Sequence, residues 1–381
     1  AVAPTSPYSF VNYLVKRKKF YRFLTTELRT VSRDEFSDYL RWAAEGMNNL
    51  HFNHTVESID FDERRQRFVV QTSQGESVAR NICLGIGKQP HLPPCVKTAT
   101  QTCFHASEMS LRQPDLGGKR VTVVGGGQSG ADLFLNALRG EWGDVAEISW
   151  VSRRNNFNAL DEAAFANEYF TPEYVSGFVG LNESARQKML DEQKMTSDGI
   201  TADSLLTIYR ELYHRFEVLR QPRNARLLPS RSVTGLESRG QSWQLLLEHH
   251  LDNGYDTLES DVVIFATGYR PALPQILSPL MSRIAMRDEC NFKVRDDFTL
   301  EWNGPKENNI FAVNASMQTH GIAEPQLSLM AWRSARILNR ALGRDLFDLS
   351  MPPALIQWRS GSREKPQPEA ASLTRYTASL G

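Results

Sequence analysis

Residues 119–154 read KRVTVVGGGQSGADLFLNALRGEWGDVAEISWVSRR, and this run decides the fold. A short apolar run at 121–124 enters the turn Gly125-Gly126-Gly127-Gln128-Ser129-Gly130. A helical pattern follows over 131–138, and a second apolar run lies at 148–151. Strand, G-x-G-x-x-G, helix and strand in this order specify a dinucleotide-binding βαβ unit. Gly125 would make the tight turn, Gly127 would let the backbone approach a pyrophosphate, and Gly130 would let helix and strand pack closely. The helix N-terminus offers free N–H groups and partial positive charge to phosphates, with Gln128 and Ser129 facing them. The second strand ends in Ser152-Arg153-Arg154, where an NAD-binding unit carries an acidic residue for the ribose 2′-hydroxyl. Two guanidiniums there suit a 2′-phosphate instead, by charge and by bidentate geometry. The stretch predicts NADPH binding; the plainer alternative is a glycine-rich turn beside two solvated arginines.

Working outward, the bounds are ordinary. The 381 residues suffice for two or three domains with ample core. Forty-four basic and 44 acidic residues cancel, so no global field favours nucleic acid. No apolar run approaches the ~20 residues of a membrane helix, and no signal peptide is visible. Cys83, Cys95, Cys103 and Cys290 show neither metal spacing nor a secretory framework, so the chain reads as cytoplasmic with reduced thiols. It starts Ala1-Val2-Ala3-Pro4, already loop-like, and reads as a chain whose first segment is missing.

The pattern along the chain is α/β. Ser32-Arg33-Asp34-Glu35 is a capping-box sequence ahead of apolar Phe36, Tyr39, Leu40, Ala43 and Met47, which predicts an amphipathic helix. Residues 56–61, 67–72 and 77–84 read as strands, with Gln74-Gly75 as a hairpin turn. The basic stretch 16–22 reads as a solvated helix face. Residues 161–216 are helical in pattern, and strands return at 244–249 and 261–265. The polar tail 361–381 reads as disordered. A second informative motif is DVVIFATGYRP at 261–271. A buried strand ending in a Gly268-Tyr269 reversal returns the chain from a nucleotide domain to a flavin domain in two-dinucleotide flavoproteins.

VVGGGQSGAD, ATGYRP and THGIAEPQLSLMAWRSA (319–335) together resemble the flavin-dependent N-hydroxylating monooxygenases. These enzymes hydroxylate the side-chain amine of lysine or ornithine for hydroxamate siderophores such as aerobactin. The resemblance spans about residues 4–358 and is nearest to the members acting on L-lysine. It implies Rossmann-like FAD and NADPH domains: 1–114 with 261–360 for FAD, 115–260 for NADPH, and a helical substrate insert at about 161–216. It also implies that a flavin hydroperoxide, formed from FAD, NADPH and molecular oxygen, oxidises the amine in a homo-oligomer. By the family's layout the G-x-G-x-x-N fingerprint for FAD and a lysine for the substrate carboxylate precede residue 4. Neither is in this sequence, so this chain is expected to retain FAD poorly.

Individual positions carry over. Asn167 matches an asparagine at the substrate's amino-acid head, where an amide suits a zwitterion. Ser197 and Asp198 fall where ornithine enzymes place an asparagine that touches the NADP ribose. Ser328 matches a serine near the substrate amine. Gly321 to Gln326 would set a helix N-terminus against the flavin. Gly268 and Tyr269 would face the cofactor crevice, and His105, on its own an ordinary surface histidine, sits where related monooxygenases have a histidine. No acid or base is identifiable, which fits chemistry that mainly needs positioning. An L-ornithine N(5)-hydroxylase, a Baeyer–Villiger or sulfur-oxidising monooxygenase, and a non-catalytic NADPH-binding fragment are the competing readings.

Overall fold

In the computed structural model, residues 2–28, 30–351 and 354–360 are described; the expected tail at 361–381 lies outside them. Arg120–Val124 sits in a five-stranded sheet between Val262–Phe265 and Glu147–Val151. Cys103–His105 and Ala225–Leu228 form its edges, and every pairing is parallel. Strands buried on both faces read as unbroken apolar runs, as VTVV and VVIF do. The side-chain period of two separates the faces. Val121, Val123, Ile148, Trp150, Val262 and Ile264 pack with Phe134 and Ala137 of the helix Gln128–Leu138. Val124, Val151, Val263 and Phe265 pack with Leu245, Leu247 and Leu258 of an antiparallel sheet on the opposite side.

That antiparallel sheet comprises Arg231–Arg239, Ser242–His249 and Tyr255–Ser260. Only its middle strand is visible in the sequence pattern. Its first strand alternates poorly because of a register shift between Val233 and Gly235, and Tyr255–Ser260 is polar on its outer face. The edge strand Ala225–Leu228 was likewise not expected. Cys103–His105 and Val262–Phe265 carry the nucleotide sheet past both expected boundaries, at 114/115 and 260/261.

A second unit holds the antiparallel meander Val56–Asp62, Arg67–Thr72 and Gly75–Ala79. Phe61, Phe68 and Trp302 meet there at 5.2 Å between ring centres. The expected strand at 77–84 divides, because Ile82–Leu84 leaves the meander to pair in parallel with Ile310–Ala312. Two chain crossings join the units, Gln89–Pro90 and Tyr269–Arg270, which pair antiparallel. The helix Arg33–Glu45 forms with Ser32 as N-cap. Only half the capping box closes, since the Glu35 carboxylate accepts from Tyr13 and Lys19 instead. The same ion pair takes Lys19 out of the expected solvated basic face.

The insert is helical, from Ala164–Asn167 to Ala202–Tyr213. It packs in two directions. Ile200 and Ile208 join the core beneath the glycine-turn helix, while Tyr174, Val175 and Phe178 pack with Ala323 and Leu329.

Candidate functional site

The glycine turn is held from below by packing and is open above. A Cβ on Gly125, whose φ is +145°, would overlap the Ala266 carbonyl, and one on Gly126 would overlap the Ser152 hydroxyl. A Cβ on Gly130 would overlap the Gly125 carbonyl, which accepts from Trp150 Nε1 at 2.8 Å. Trp150 itself lies 5.1 Å from the ring of Phe134 and 4.0 Å from that of Phe157. This indole props the turn, and the sequence reading saw it only as one member of an apolar strand.

Gly127 differs from its neighbours: the nearest atom to its Cβ position is the Asp198 carbonyl oxygen at 3.8 Å. It is the N-cap of Gln128–Leu138, and no side chain caps that helix. Uncapped N–H groups of an eleven-residue helix, next to a position left open by glycine, fit a dinucleotide pyrophosphate. Ser129 is exposed at the second position of the helix.

Three sequence expectations change here. The Gln128 side chain does not face the phosphates. Its amide nitrogen donates to Asp132 and to the Ser204 hydroxyl, and its oxygen accepts from Thr201 N at 2.9 Å. Its polar atoms are drawn to the N-terminus of the insert helix Ala202–Tyr213, whose cap is Thr201. Arg154 is likewise committed, donating to the Gly126 carbonyl at 3.0 Å and the Asp198 carbonyl at 2.8 Å. Arg153 is exposed and makes no hydrogen bond or ion pair within the described residues, so it is the guanidinium free to meet a 2′-phosphate. With Arg270 it lowers the pKa of His91, after burial as the larger cause, which places both cations near the chain crossing.

The third change is His105, which is buried rather than a surface residue. Its Nδ1 accepts from Ser107 N at 3.1 Å, so Nε2 carries the proton and donates to the Gly268 carbonyl at 3.0 Å. Burial lowers its pKa and keeps it neutral. Gly268, at φ +79°, also accepts from His91 N, and Tyr269 sets its ring edge against His105. This tyrosine and glycine belong to the crossing between the two units.

Past the end of Ile310–Ala312, Asn314 Oδ1 is buried without a partner, and the buried Ser316 hydroxyl lies beside the buried Glu324 carboxylate. Glu324 Oε1 accepts from Asn314 N at 2.6 Å. Burial raises the Glu324 pKa, with Arg333 opposing at 3.7 Å. An unsatisfied buried amide oxygen just past the carboxyl end of a parallel strand, beside a buried hydroxyl and carboxylate, fits a polar ligand such as a flavin nucleotide. Gly321 to Gln326 lead into a helical run, with Gln326 as its N-cap. They form a turn, with a 3₁₀ segment Leu327–Leu329 and then the helix Met330–Leu342. Gly321, at φ +76°, brings that turn against Tyr174 and Phe178.

Asn167 is exposed at the end of Ala164–Asn167, and Ser328 is exposed on its 3₁₀ turn. The elements bearing them converge, since Tyr169 and Leu329 belong to one apolar cluster. Ser197 and Asp198 lie elsewhere, over the glycine turn, bonded to each other at 3.2 Å. No group of three or more metal-ligating side chains occurs among the described residues. Nor is any helix among them long and apolar enough to cross a membrane.

Comparison with known proteins agrees with this two-nucleotide architecture. The family model for L-lysine 6-monooxygenase/L-ornithine 5-monooxygenase matches residues 1–271. An L-lysine N6-monooxygenase of Escherichia coli is 82% identical over 362 residues, covering 95% of this chain and 85% of the relative. A rhizobactin siderophore biosynthesis protein of Rhizobium meliloti is 32% identical over 359 residues, covering 90% of this chain and 78% of the relative. The crystal structure of a cadaverine monooxygenase from Erwinia amylovora bound to FAD superposes with a TM-score of 0.87. It is 25% identical and covers 96% of this chain and 85% of its own. The chain belongs to the L-lysine 6-monooxygenase/L-ornithine 5-monooxygenase family.

Proposed function

We propose that this protein is an NADPH-dependent flavin N-monooxygenase that hydroxylates the side-chain amine of L-lysine in hydroxamate siderophore biosynthesis. The observation that carries the reading is the 82% identity to an L-lysine N6-monooxygenase over nearly the whole chain. FAD and NADPH are its cofactors and molecular oxygen its second substrate; bound, reduced FAD supplies the activated oxygen.

The chain's own residues supply binding, orientation and dryness. The helix N-terminus at Gly127 and Gln128 receives the NADPH pyrophosphate through backbone N–H groups, and Arg153 receives the 2′-phosphate. Asn314, Ser316 and Glu324 hold the flavin side. Asn167 orients the amino-acid head of lysine, and Ser328 lies toward its amine. A lysine amine has a pKa near 10.4, so at pH 7 it binds almost fully charged and must lose a proton before it can be oxidised. Desolvation against the apolar cluster of Tyr174, Phe178, Ala323 and Leu329 favours the neutral amine. Four free cysteines support a reading in which the protein works in the reducing cytoplasm.

Incubated with FAD, NADPH and L-lysine in air, the protein should form N-hydroxylated lysine in step with NADPH consumed. Consumption of NADPH with no hydroxylated amine would contradict the reading. The likeness to a cadaverine monooxygenase supports a second one. Cadaverine is lysine without its carboxylate, so Asn167→Ala separates the two. It should raise KM for lysine and leave KM for a diamine unchanged.

A further inference from the structure

The two arginines that end the second nucleotide strand sit in different surroundings. Arg153 is exposed and makes no hydrogen bond or ion pair among the described residues. Arg154 joins the glycine turn to the insert, with one guanidinium nitrogen on the Gly126 carbonyl and another on the Asp198 carbonyl. Gln128 makes a parallel link, from the first residue of the nucleotide helix to Thr201 N and the Ser204 hydroxyl.

The first link lands within segment 195–200, at Asp198, and the second just past its end, at Thr201. This segment has little freedom from below. Ile200 bridges to Ala159 and is fully buried, and a Cβ on Gly199 would overlap the Leu160 backbone. Leu160 N donates to the Ile200 carbonyl at 2.7 Å. Its upper side carries Ser197 and the exposed Asp198, beside the open position over Gly127. Beyond its far end, the Tyr174 hydroxyl donates to Gln193 Oε1 at 2.5 Å, inside the cluster that meets Ala323 and Leu329. A short stretch of chain therefore runs from the nucleotide cradle to the proposed amine site.

We propose that Arg154 is a positioning residue that pins segment 195–200 over the nucleotide cradle, so that the bound nucleotide and the substrate insert keep one register. A planar guanidinium spans two divergent carbonyls with separate nitrogens in a fixed fork, whereas a lysine ammonium offers one compact nitrogen and holds the same pair less firmly. The inference rests on the functional reading above for its consequence and on hydrogen bonds alone for its geometry.

The test compares Arg154→Ala, Arg154→Lys and Arg153→Ala. Amide exchange across 195–200 should rise at least tenfold in Arg154→Ala, rise less in Arg154→Lys, and stay unchanged in Arg153→Ala. In turnover, Arg154→Ala should at least halve hydroxylated lysine formed per NADPH consumed, while KM for NADPH moves less than threefold. Arg153→Ala should do the reverse, with KM for NADPH up at least tenfold and the product ratio kept. Unchanged exchange in Arg154→Ala, or an NADPH defect matching that of Arg153→Ala, overturns the proposal. If the unaltered enzyme hydroxylates no lysine, the functional reading fails while the exchange measurement still decides the role of Arg154.

Discussion

At the scale of single residues, sequence position and side-chain engagement part company. Arg153 and Arg154 are equivalent on paper, yet only Arg153 is free of internal bonds in the described structure. Arg153→Ser should therefore raise KM for NADPH by tenfold or more and leave NADH nearly untouched, a charge-assisted phosphate contact being worth about 1.5–3 kcal/mol. An unchanged ratio of the two KM values would remove Arg153 from the 2′-phosphate site. The glycine turn was legible because backbone geometry and spacing are local properties. Gln128 was misread for the converse reason: its partners Ser204 and Thr201 lie more than 70 residues along the chain, and no local pattern announces them. His105 and Trp150 escaped in the same way, since burial and a hydrogen bond to a distant carbonyl define both. His320 was not singled out at all. It lies flat against Phe298 at 4.1 Å, donates to the Asp296 carbonyl, and has its pKa lowered to about 4, chiefly by burial. A base whose folded pKa falls below its unfolded value of 6.5 gives stability that is complete above pH 6.5 and is lost as pH falls toward 4. Relative to a neutral His320→Gln variant, the natural protein should lose about 2 kcal/mol between pH 7.5 and pH 5. Parallel urea midpoints for the two proteins across that range would contradict this.

At the scale of elements, the βαβ unit is the most strongly specified part of the chain. Its strands are apolar on both faces, and its helix presents small residues where it crosses them. Gly130→Ala tests that fit directly, since the added methyl meets a carbonyl fixed by Trp150. It should lower unfolding free energy by about 1–3 kcal/mol. A chemical-denaturation midpoint equal to that of the parent would mean that the turn can yield. The strands Arg231–Arg239 and Tyr255–Ser260 were invisible for an intelligible reason. A sheet with one wetted face carries few apolar residues, and a register shift at Val233 to Gly235 breaks what alternation remains. The segment from Gly321 to Gln326 was half legible. It does precede a helical start, capped by Gln326, but the left-handed Gly321 and the packing of Tyr174 and Phe178 make the approach a turn.

At the scale of the whole molecule, the nucleotide unit, the second unit and the insert meet where strand ends and chain crossings coincide. That meeting point was partly foreseeable, because the order of the glycine turn and ATGYRP already implied two nucleotide sites. The insert's double attachment, through Ile200 and Ile208 on one side and Tyr174 and Phe178 on the other, was not. It fits the proposal that the protein works mainly by positioning. An amine held at one end by its zwitterionic head reaches the activated oxygen only if its chain length matches the span, and near-attack geometry tolerates little error. The most direct measurement gives the enzyme equal concentrations of L-lysine, L-ornithine and cadaverine with limiting NADPH, and counts hydroxylated products by mass spectrometry. Hydroxylated lysine should dominate the mixture by at least tenfold; a mixture dominated by hydroxylated cadaverine or ornithine would contradict the account.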